Sequence, residues 1–289
     1  MLRVIDTSVY QQDLVVAATN ADAFIVKATG GNGYVNPDCD DTVQQVIAAN
    51  KPWGVYHYFG DGFNDNDPIS EADWFISQCQ GYLGKGQVWL DWERGGNPNI
   101  SRVDMALAWL EHIRVVTGYK PAGMYMSLSI VLAYDWSPVI NAGYALWCAD
   151  YIEDNTPITN FAMDPNRDPN PNWDGTVNDV LWQFTSTGRI DGYGGNLDCS
   201  FFYGTRASWD AYAGIHTTAP AEPSPSETTT TTTTVGSVTP DTTNPQSTSG
   251  ETATTTTSTS TQAAPAGSKK TFWQTFISFL LAIFKRGEK

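Results

Sequence analysis

Short apolar runs alternate with amphipathic stretches along residues 1–213, and polar residues follow most of the runs. The runs are rich in β-branched and aromatic residues, which is typical of strands buried on both faces. Eight strands are predicted on this basis, at 3–8, 23–29, 53–59, 87–93, 121–127, 145–150, 180–185 and 197–203.

Helical periodicity is clearest at 41–50, 70–82 and 102–117, where apolar residues recur every three or four positions. Buried strands separated by helices are typical of a parallel barrel. Residues 154–179 are rich in Asn, Pro and Asp and predict a long loop in place of a helix. The expected fold is therefore α/β, an irregular (β/α)8-type barrel with reduced helices.

Two carboxylates end the fourth predicted strand, since "VWLDWE" places Asp91 and Glu93 two residues apart. Barrel enzymes carry their chemistry at the carboxyl ends of the strands. Side chains two apart in a strand share a face, roughly 7 Å from each other along the backbone. Two acids so placed favour one proton donor beside one ionised group, which is what glycosidic bond cleavage requires. The alternative is that "DWERGGNPN" simply begins a polar loop.

Other polar and aromatic side chains lie at the predicted strand ends. Asp6 ends the first strand and Asp198 begins the last, and each taken alone would more often be a helix cap or a turn residue. His57 has no evident partner and is interpreted as structural. Four aromatic residues fit either sugar contacts or the filling of a barrel: Tyr56, Tyr58, Tyr125 and Trp147.

Composition removes several classes of function. The net charge of −15 lies within residues 1–213, so nucleic acid is not an expected partner. The four cysteines and three histidines have no metal-ligand spacing, so no metal site is expected, and Cys148 and Cys199 are interpreted as buried thiols. Serine-hydrolase, zinc-protease and phosphate-loop motifs are absent, and no cofactor is predicted.

The composition changes after residue 213. Residues 214–268 are dominated by Thr, Ser, Pro and Ala and predict a disordered linker with a span of roughly 40 Å. Residues 269–289 read "KKTFWQTFISFLLAIFKRGEK" and predict a helix whose apolar part is about 20 Å long, against a hydrocarbon core of roughly 30 Å. We expect residues 271–284 to associate with a membrane, lying in the interface or spanning it. The alternative is a helix docked on the domain.

The ordered motifs "VIDTSVYQ", "FIVKATGGNGYVNP", "WGVYHYF", "VWLDWE", "GMYMS", "LWCADY" and "LWQFTSTGRIDGYGGNLDCSFFYG" cover essentially all of residues 1–210. In this order they resemble glycoside hydrolase family 25, the lysozymes that cleave peptidoglycan between N-acetylmuramic acid and N-acetylglucosamine. The resemblance implies an irregular barrel and bacterial peptidoglycan as the substrate. The catalytic domain is expected to be monomeric.

The resemblance also implies roles for individual residues. Glu93 corresponds to the general acid, and Asp91 to the acid that orients the 2-acetamido group of the substrate. Asp6 and Asp198 correspond to flanking acids that tune the pair. Tyr56, Tyr58, Tyr125 and Trp147 correspond to positions that line the cleft. Two departures are Gly30, where the family often has Glu, and Ser200, where the closing motif usually has Asn.

These features lead to the hypothesis of an N-acetylmuramidase that acts as a phage endolysin. The opening "MLRVIDTS" has no signal-peptide pattern, so synthesis in the host cytoplasm is expected before the enzyme reaches the cell wall. One alternative is a peptidoglycan-binding module that has lost turnover, against which the intact set of acids argues. Another is a chitinase-like N-acetylhexosaminide hydrolase, whose longer D-x-x-D-x-D-x-E run is absent.

Overall fold

The computed structural model describes residues 1–60, 67–93, 103–151, 157–173 and 180–215. These residues form a closed barrel of eight strands, with one additional short strand at its rim. The strands are β1 (Leu2–Thr7), β2 (Ala23–Gly30), β3 (Tyr34–Val35), β4 (Trp53–Tyr58), β5 (Gln87–Asp91), β6 (Gly123–Ser127), β7 (Ala145–Ala149), β8 (Leu181–Gly188) and β9 (Leu197–Phe202). All eight predicted strands are present, and β3 is the rim strand.

The last strand of the barrel runs against the others. Neighbouring strands from β1 to β8 pair in parallel around the barrel, whereas β9 pairs antiparallel with both β8 and β1. The expectation of a wholly parallel barrel is therefore wrong for β9. The connection from β8 to β9 covers only residues 189–196, and a parallel crossover needs about a dozen residues or more.

The helices cover the outside of the barrel unevenly. The three predicted helices correspond to the three longest observed, and the remaining helices are one or two turns long. The described residues between β7 and β8 contain a single 3-10 turn, Pro165–Arg167, as expected of a long loop. The helices are α1 (Cys39–Ala48), α2 (Pro68–Cys79), α3 (Val103–Thr117), α4 (Leu128–Ala133), α5 (Ser137–Asn141) and α6 (Arg206–Tyr212).

The barrel interior is filled by side chains. Alternate residues of each strand face inward, and Val4, Ile25, Trp89, Trp147 and Phe202 belong to one buried cluster there. A second, larger cluster lies between the barrel and its helices. The Trp89 and Trp147 rings pack edge to face with centroids 5.9 Å apart. Because these side chains fill the middle of the barrel, polar chemistry is confined to its two ends.

His57 is a structural residue, as expected, and its partner lies on a helix. Its ring is fully buried between the barrel and α3, stacked on Trp109 with centroids 5.2 Å apart. Nε2 lies 2.9 Å from a carboxylate oxygen of Glu71 on α2, and Nδ1 lies 2.8 Å from the hydroxyl oxygen of Thr29. Glu71 also accepts a hydrogen bond from the Gly60 N–H, so it ties β4 to α2.

All four cysteines are buried free thiols, which confirms the interpretation of Cys148 and Cys199. Burial raises the pKa of the Cys39 thiol to about 12, so it stays protonated near neutral pH. No helix among the described residues combines the length and the apolar character needed to cross a bilayer. The predicted helix at 269–289 and all but the first two residues of the predicted linker at 214–268 lie outside the described residues.

Candidate active site

Four carboxylates from three strands line one cavity at the carboxyl end of the barrel. The acids are Asp6 at the end of β1, Asp91 and Glu93 at the end of β5, and Asp198 near the start of β9. The cavity has a volume of about 120 Å³. Its remaining lining residues are Tyr56, Tyr125, Trp147, Tyr151 and Gln183.

Asp6 and Asp198 face each other across a strand pair. They are register partners in the antiparallel pairing of β1 with β9. The start of an antiparallel strand lies at the same end of the barrel as the carboxyl ends of its neighbours. The reversed direction of β9 therefore brings Asp198, which sits at the beginning of its strand, to the acids that end the other strands.

Asp91 and Glu93 keep the alternation of a strand although β5 ends at Asp91. Trp92 points away from the cavity and stacks on Phe59, with ring centroids 4.5 Å apart. The Trp92 N–H donates to the carbonyl of Tyr125 at 2.8 Å and so continues the pairing with β6. Asp91 is buried and Glu93 is exposed, so of these two acids only Glu93 is accessible to a molecule arriving from solvent.

Burial and mutual repulsion keep protons on the Asp6 and Asp198 pair. Burial, and then the charge of Asp198, raises the pKa of Asp6 well above its usual range, while a hydrogen bond from Gln183 opposes this. Burial, and then the charge of Glu93, raises the pKa of Asp198 to about 7. Two carboxyl groups placed opposite each other titrate as a unit, and the pair loses its last proton at a higher pH than an isolated aspartate does.

The tyrosine hydroxyls around the acids stay protonated. Burial and the nearby carboxylates, first among them Asp91, raise the pKa of Tyr56 well above 10. Burial also raises the pKa of Tyr125, to which Tyr151 and then Glu93 contribute. These phenols are therefore neutral hydrogen-bonding groups near neutral pH.

Trp147 contributes little exposed surface to the cavity. Only 2% of its surface is exposed, because its ring packs against Trp89 and, with centroids 4.7 Å apart, against Tyr125. Its Nε1–H donates to the hydroxyl of the buried Ser200 at 3.1 Å. Ser200 is one of the two departures noted above, and its hydroxyl satisfies a buried indole donor.

Tyr58 lies outside the set of residues that line the cavity. It is the register partner of Asp91 at the end of β4 and is half-buried. The Lys27 ammonium lies 4.6 Å from the centroid of its ring and 5.0 Å from that of Tyr34. Its ring therefore packs on a lysine at the rim, beside the cavity. The other seven predicted site residues all line the cavity.

Gln183 and Tyr151 also line the cavity and were not singled out from the sequence. Gln183 is the buried inward-facing residue of β8, and Tyr151 follows β7. Both lie within quoted motifs, "LWQFTS" and "LWCADY". Alternation from Leu181, which faces inward, places Gln183 on the same face. For Tyr151, which lies beyond its strand, the sequence offers no comparable signal.

The small cavity opens into a larger groove of about 490 Å³. Glu93, Tyr125 and Tyr151 border both spaces. The other residues of the groove are Ser127, Leu128, Ser129, Ala149 and Asp150. The exposed acid therefore lies where a pocket meets a groove.

A larger depression, about 840 Å³, lies at the opposite end of the barrel. It is bordered by residues that precede β5 and β6 and by α6, and none of its lining residues is a carboxylate. Acid-base chemistry therefore belongs to the smaller cavity. In the described part of the chain, no group of His, Cys, Asp and Glu side chains is arranged to hold a metal ion.

A barrel whose carboxyl end carries several acids in one cleft is the arrangement expected of a glycoside hydrolase. The model of the glycosyl hydrolases family 25 matches residues 5–193, and the chain belongs to this family. The family match confirms the resemblance and, with it, the predicted class of activity, a peptidoglycan hydrolase. No curated protein sequence matches the chain.

Solved structures of the same fold include ones from two bacteria and a phage. The lysozyme of Streptomyces coelicolor is 20% identical over 74% of this chain and 97% of its own, with a TM-score of 0.54. The catalytic domain of an endolysin from a Listeria monocytogenes bacteriophage is 21% identical over 74% and 98%, with a TM-score of 0.52. A family 25 glycosyl hydrolase from Bacillus anthracis is 19% identical over 74% and 94%, with a TM-score of 0.54. At such identities the likeness concerns the fold.

Proposed function

We propose that this chain is an N-acetylmuramidase that hydrolyses the β-1,4 bond between N-acetylmuramic acid and N-acetylglucosamine, with Glu93 as the general acid. The observation that carries the assignment is the pairing of an exposed Glu93 with a buried Asp91 on one wall of the cavity. The acid must reach the leaving oxygen of a polymer, which requires access from the groove. Solved structures with this fold include a lysozyme and a muramidase, in keeping with the proposal.

In the proposed reaction Glu93 protonates the glycosidic oxygen as the bond breaks. Asp91 holds the N–H of the substrate's 2-acetamido group, whose carbonyl oxygen attacks the anomeric carbon. Water then attacks the anomeric carbon and opens the resulting oxazolinium ring, while Glu93 accepts a proton from that water and regains its acid form. Because the internal nucleophile belongs to the substrate, the usual inference from carboxylate separation to stereochemistry does not apply.

Asp6 and Asp198 supply the electrostatic setting for this pair. Burial and the charge of Glu93 raise the pKa of Asp198 to about 7, and burial with the charge of Asp198 raises the pKa of Asp6 well above its usual range. The two acids therefore retain protons near neutral pH, which limits the negative charge around Asp91 and Glu93.

The proposal is tested by digesting purified peptidoglycan with the full chain and identifying the new reducing ends by mass spectrometry. N-acetylmuramic acid at the new ends is expected, and Glu93→Gln should release none. N-acetylglucosamine at the new ends would point to a glucosaminidase instead. Binding without any release by the unaltered chain would favour a binding module.

We also propose, from the apolar residues 271–284 and their flanking lysines, that the enzyme is held at a membrane through the linker 214–268, as suits a phage endolysin. The catalytic domain is expected to act as a monomer. Membrane fractionation of the full chain against a chain ending at residue 268 tests the anchor. Equal amounts of the two in the membrane fraction would refute it.

A further inference from the structure

One amide among the residues that line the cavity joins three of its other groups. Gln183 is only 2% exposed and faces inward from β8. Its Nε2 donates to Asp6 Oδ2 at 2.9 Å. Its Oε1 accepts from the hydroxyls of Tyr125 and Tyr151, each at 2.7 Å. A single side chain thereby joins β1, β6 and the residue after β7.

The two ends of an amide are not interchangeable, because its nitrogen only donates hydrogen bonds and its oxygen only accepts them. With Oε1 turned to the tyrosines, both phenol protons point at Gln183. The oxygens of Tyr125 and Tyr151 then have only lone pairs left for other groups in the cavity. Asp6 Oδ2 is held as an acceptor at the same time.

A flipped amide would exchange the donor and acceptor roles in all three hydrogen bonds. Asp6 would have to donate a proton to the amide oxygen, and the tyrosines would accept from the amide nitrogen. The orientation of the Gln183 amide is therefore coupled to its partners. It determines whether Asp6 accepts or donates, and in which direction the two phenol O–H groups point. Few side chains can provide one donor and one double acceptor at this position.

We propose that Gln183 is a positioning residue of the muramidase site, whose amide sets which groups of the cavity donate and which accept hydrogen bonds. It does so without touching the scissile bond. In the observed orientation the tyrosine oxygens accept from hydroxyl or amide N–H groups of a bound sugar. This inference rests on the proposed function.

A second buried glutamine provides a matched control. Gln87 also faces the barrel interior, but from the first residue of β5, at the end opposite to the cavity. Its Oε1 accepts from the Trp89 indole at 2.8 Å, and its Nε2 donates to the Trp209 carbonyl at 3.2 Å. Replacement of either glutamine by methionine removes buried hydrogen bonds from the same barrel.

The experiment compares the full chain with Gln183→Met, Gln183→Glu and Gln87→Met. It measures reducing-end release from soluble peptidoglycan fragments across pH, together with the thermal unfolding midpoint. Gln183→Met should lower kcat on the order of 10- to 100-fold, because displaced groups near a reacting centre cost about that much. Gln87→Met should lower the midpoint comparably while kcat stays within about twofold.

Gln183→Glu supplies the decisive readout. When protonated, the introduced carboxyl can again donate to Asp6 and accept from both tyrosines, whereas its ionised form can only accept. Its activity should therefore recover toward that of the unaltered chain as the pH falls, while Gln183→Met stays impaired at every pH.

Two results would overturn the positioning role while leaving the proposed function intact. One is an activity of Gln183→Met that matches Gln87→Met. The other is a loss in Gln183→Glu that equals that of Gln183→Met at every pH. An unaltered chain that releases no reducing ends at any pH would overturn the proposed function itself, and the role of Gln183 with it.

Discussion

Asp6 and Asp198 are direct register partners at the mouth of the barrel, one at the end of β1 and the other at the start of β9. Antiparallel pairing holds their Cα atoms opposite each other, so both side chains enter the same cavity. Burial there raises the pKa of both acids, and the charge of Asp198 adds to the effect on Asp6.

The first prediction concerns stability. Burial and Glu93 raise the pKa of Asp198 to about 7, whereas aspartate in an unfolded chain titrates near about 4. Between these values the folded state holds a proton that the unfolded state has lost, so the contribution to stability falls as the pH rises. Denaturant titrations from pH 5 to pH 8 should show a fall of several kcal/mol in the free energy of unfolding.

Asp198→Asn should flatten this dependence, because it removes one acid and lessens the repulsion on Asp6. Asp41→Asn provides the control, since Asp41 is exposed on α1, outside the cavity. A slope that stays equally steep in Asp198→Asn would contradict the assignment of this linkage to the pair.

The sequence predicted the barrel because eight apolar runs are a strong and local signal. It placed Asp91 and Glu93 in one cleft because alternation along a strand is also local. The direction of β9 was not predicted, because it depends on whether a short connection can cross the barrel, and buried runs look alike in either direction. Nevertheless, it is the direction of β9 that places Asp198 in the site.

Pairings across the fold are the other feature that sequence patterns did not reveal. The contact of His57 with Glu71 joins a strand to a helix, and Gln183 connects three separate elements. Each of these residues looks ordinary within its own element. Tyr58 is the opposite case, since its motif predicted a residue that lines the cavity. Its ring packs on Lys27 beside the cavity instead.

The second prediction concerns the buried pair of His57 on β4 and Glu71 on α2. Glu71→Ala removes the carboxylate that meets His57 and the Gly60 N–H, and it leaves both without that partner in a dry environment. The expected loss is about 3–5 kcal/mol in the free energy of unfolding, measured by denaturant titration. Glu71→Gln should lose less, because an amide oxygen can still accept one of the two bonds.

A surface pair provides the comparison for this prediction. Asp73 lies 2.7 Å from Nε2 of His112, but 63% of its side chain is exposed. Asp73→Ala should therefore cost no more than about 1 kcal/mol. Similar losses in Asp73→Ala and Glu71→Ala would show that burial does not set the strength of the inner pair.

The third prediction concerns the strand that carries Tyr125. A Cβ added at Gly123 would lie 1.9 Å from the carbonyl oxygen of Ala145, so β6 and β7 must separate to admit it. Gly123→Ala should lower the thermal unfolding midpoint sharply, and kcat should fall with it because Tyr125 moves. Gly81→Ala, where the added Cβ meets open space, should change stability by no more than about 0.5 kcal/mol. Equal midpoints for the two variants would contradict the close approach of these strands.

The last prediction concerns the pH dependence of the reaction. Burial and the charge of Glu93 raise the pKa of Asp198 to about 7, so Asp198 loses its proton within the pH range in which the enzyme is assayed. Asp198→Asn removes this titrating group, so the change of kcat/KM near pH 7 that reports its titration should disappear from the pH profile. In Asp41→Asn that change should stay in place. An unchanged profile in a folded Asp198→Asn variant would mean that Asp198 does not titrate in this range in the enzyme that meets its substrate.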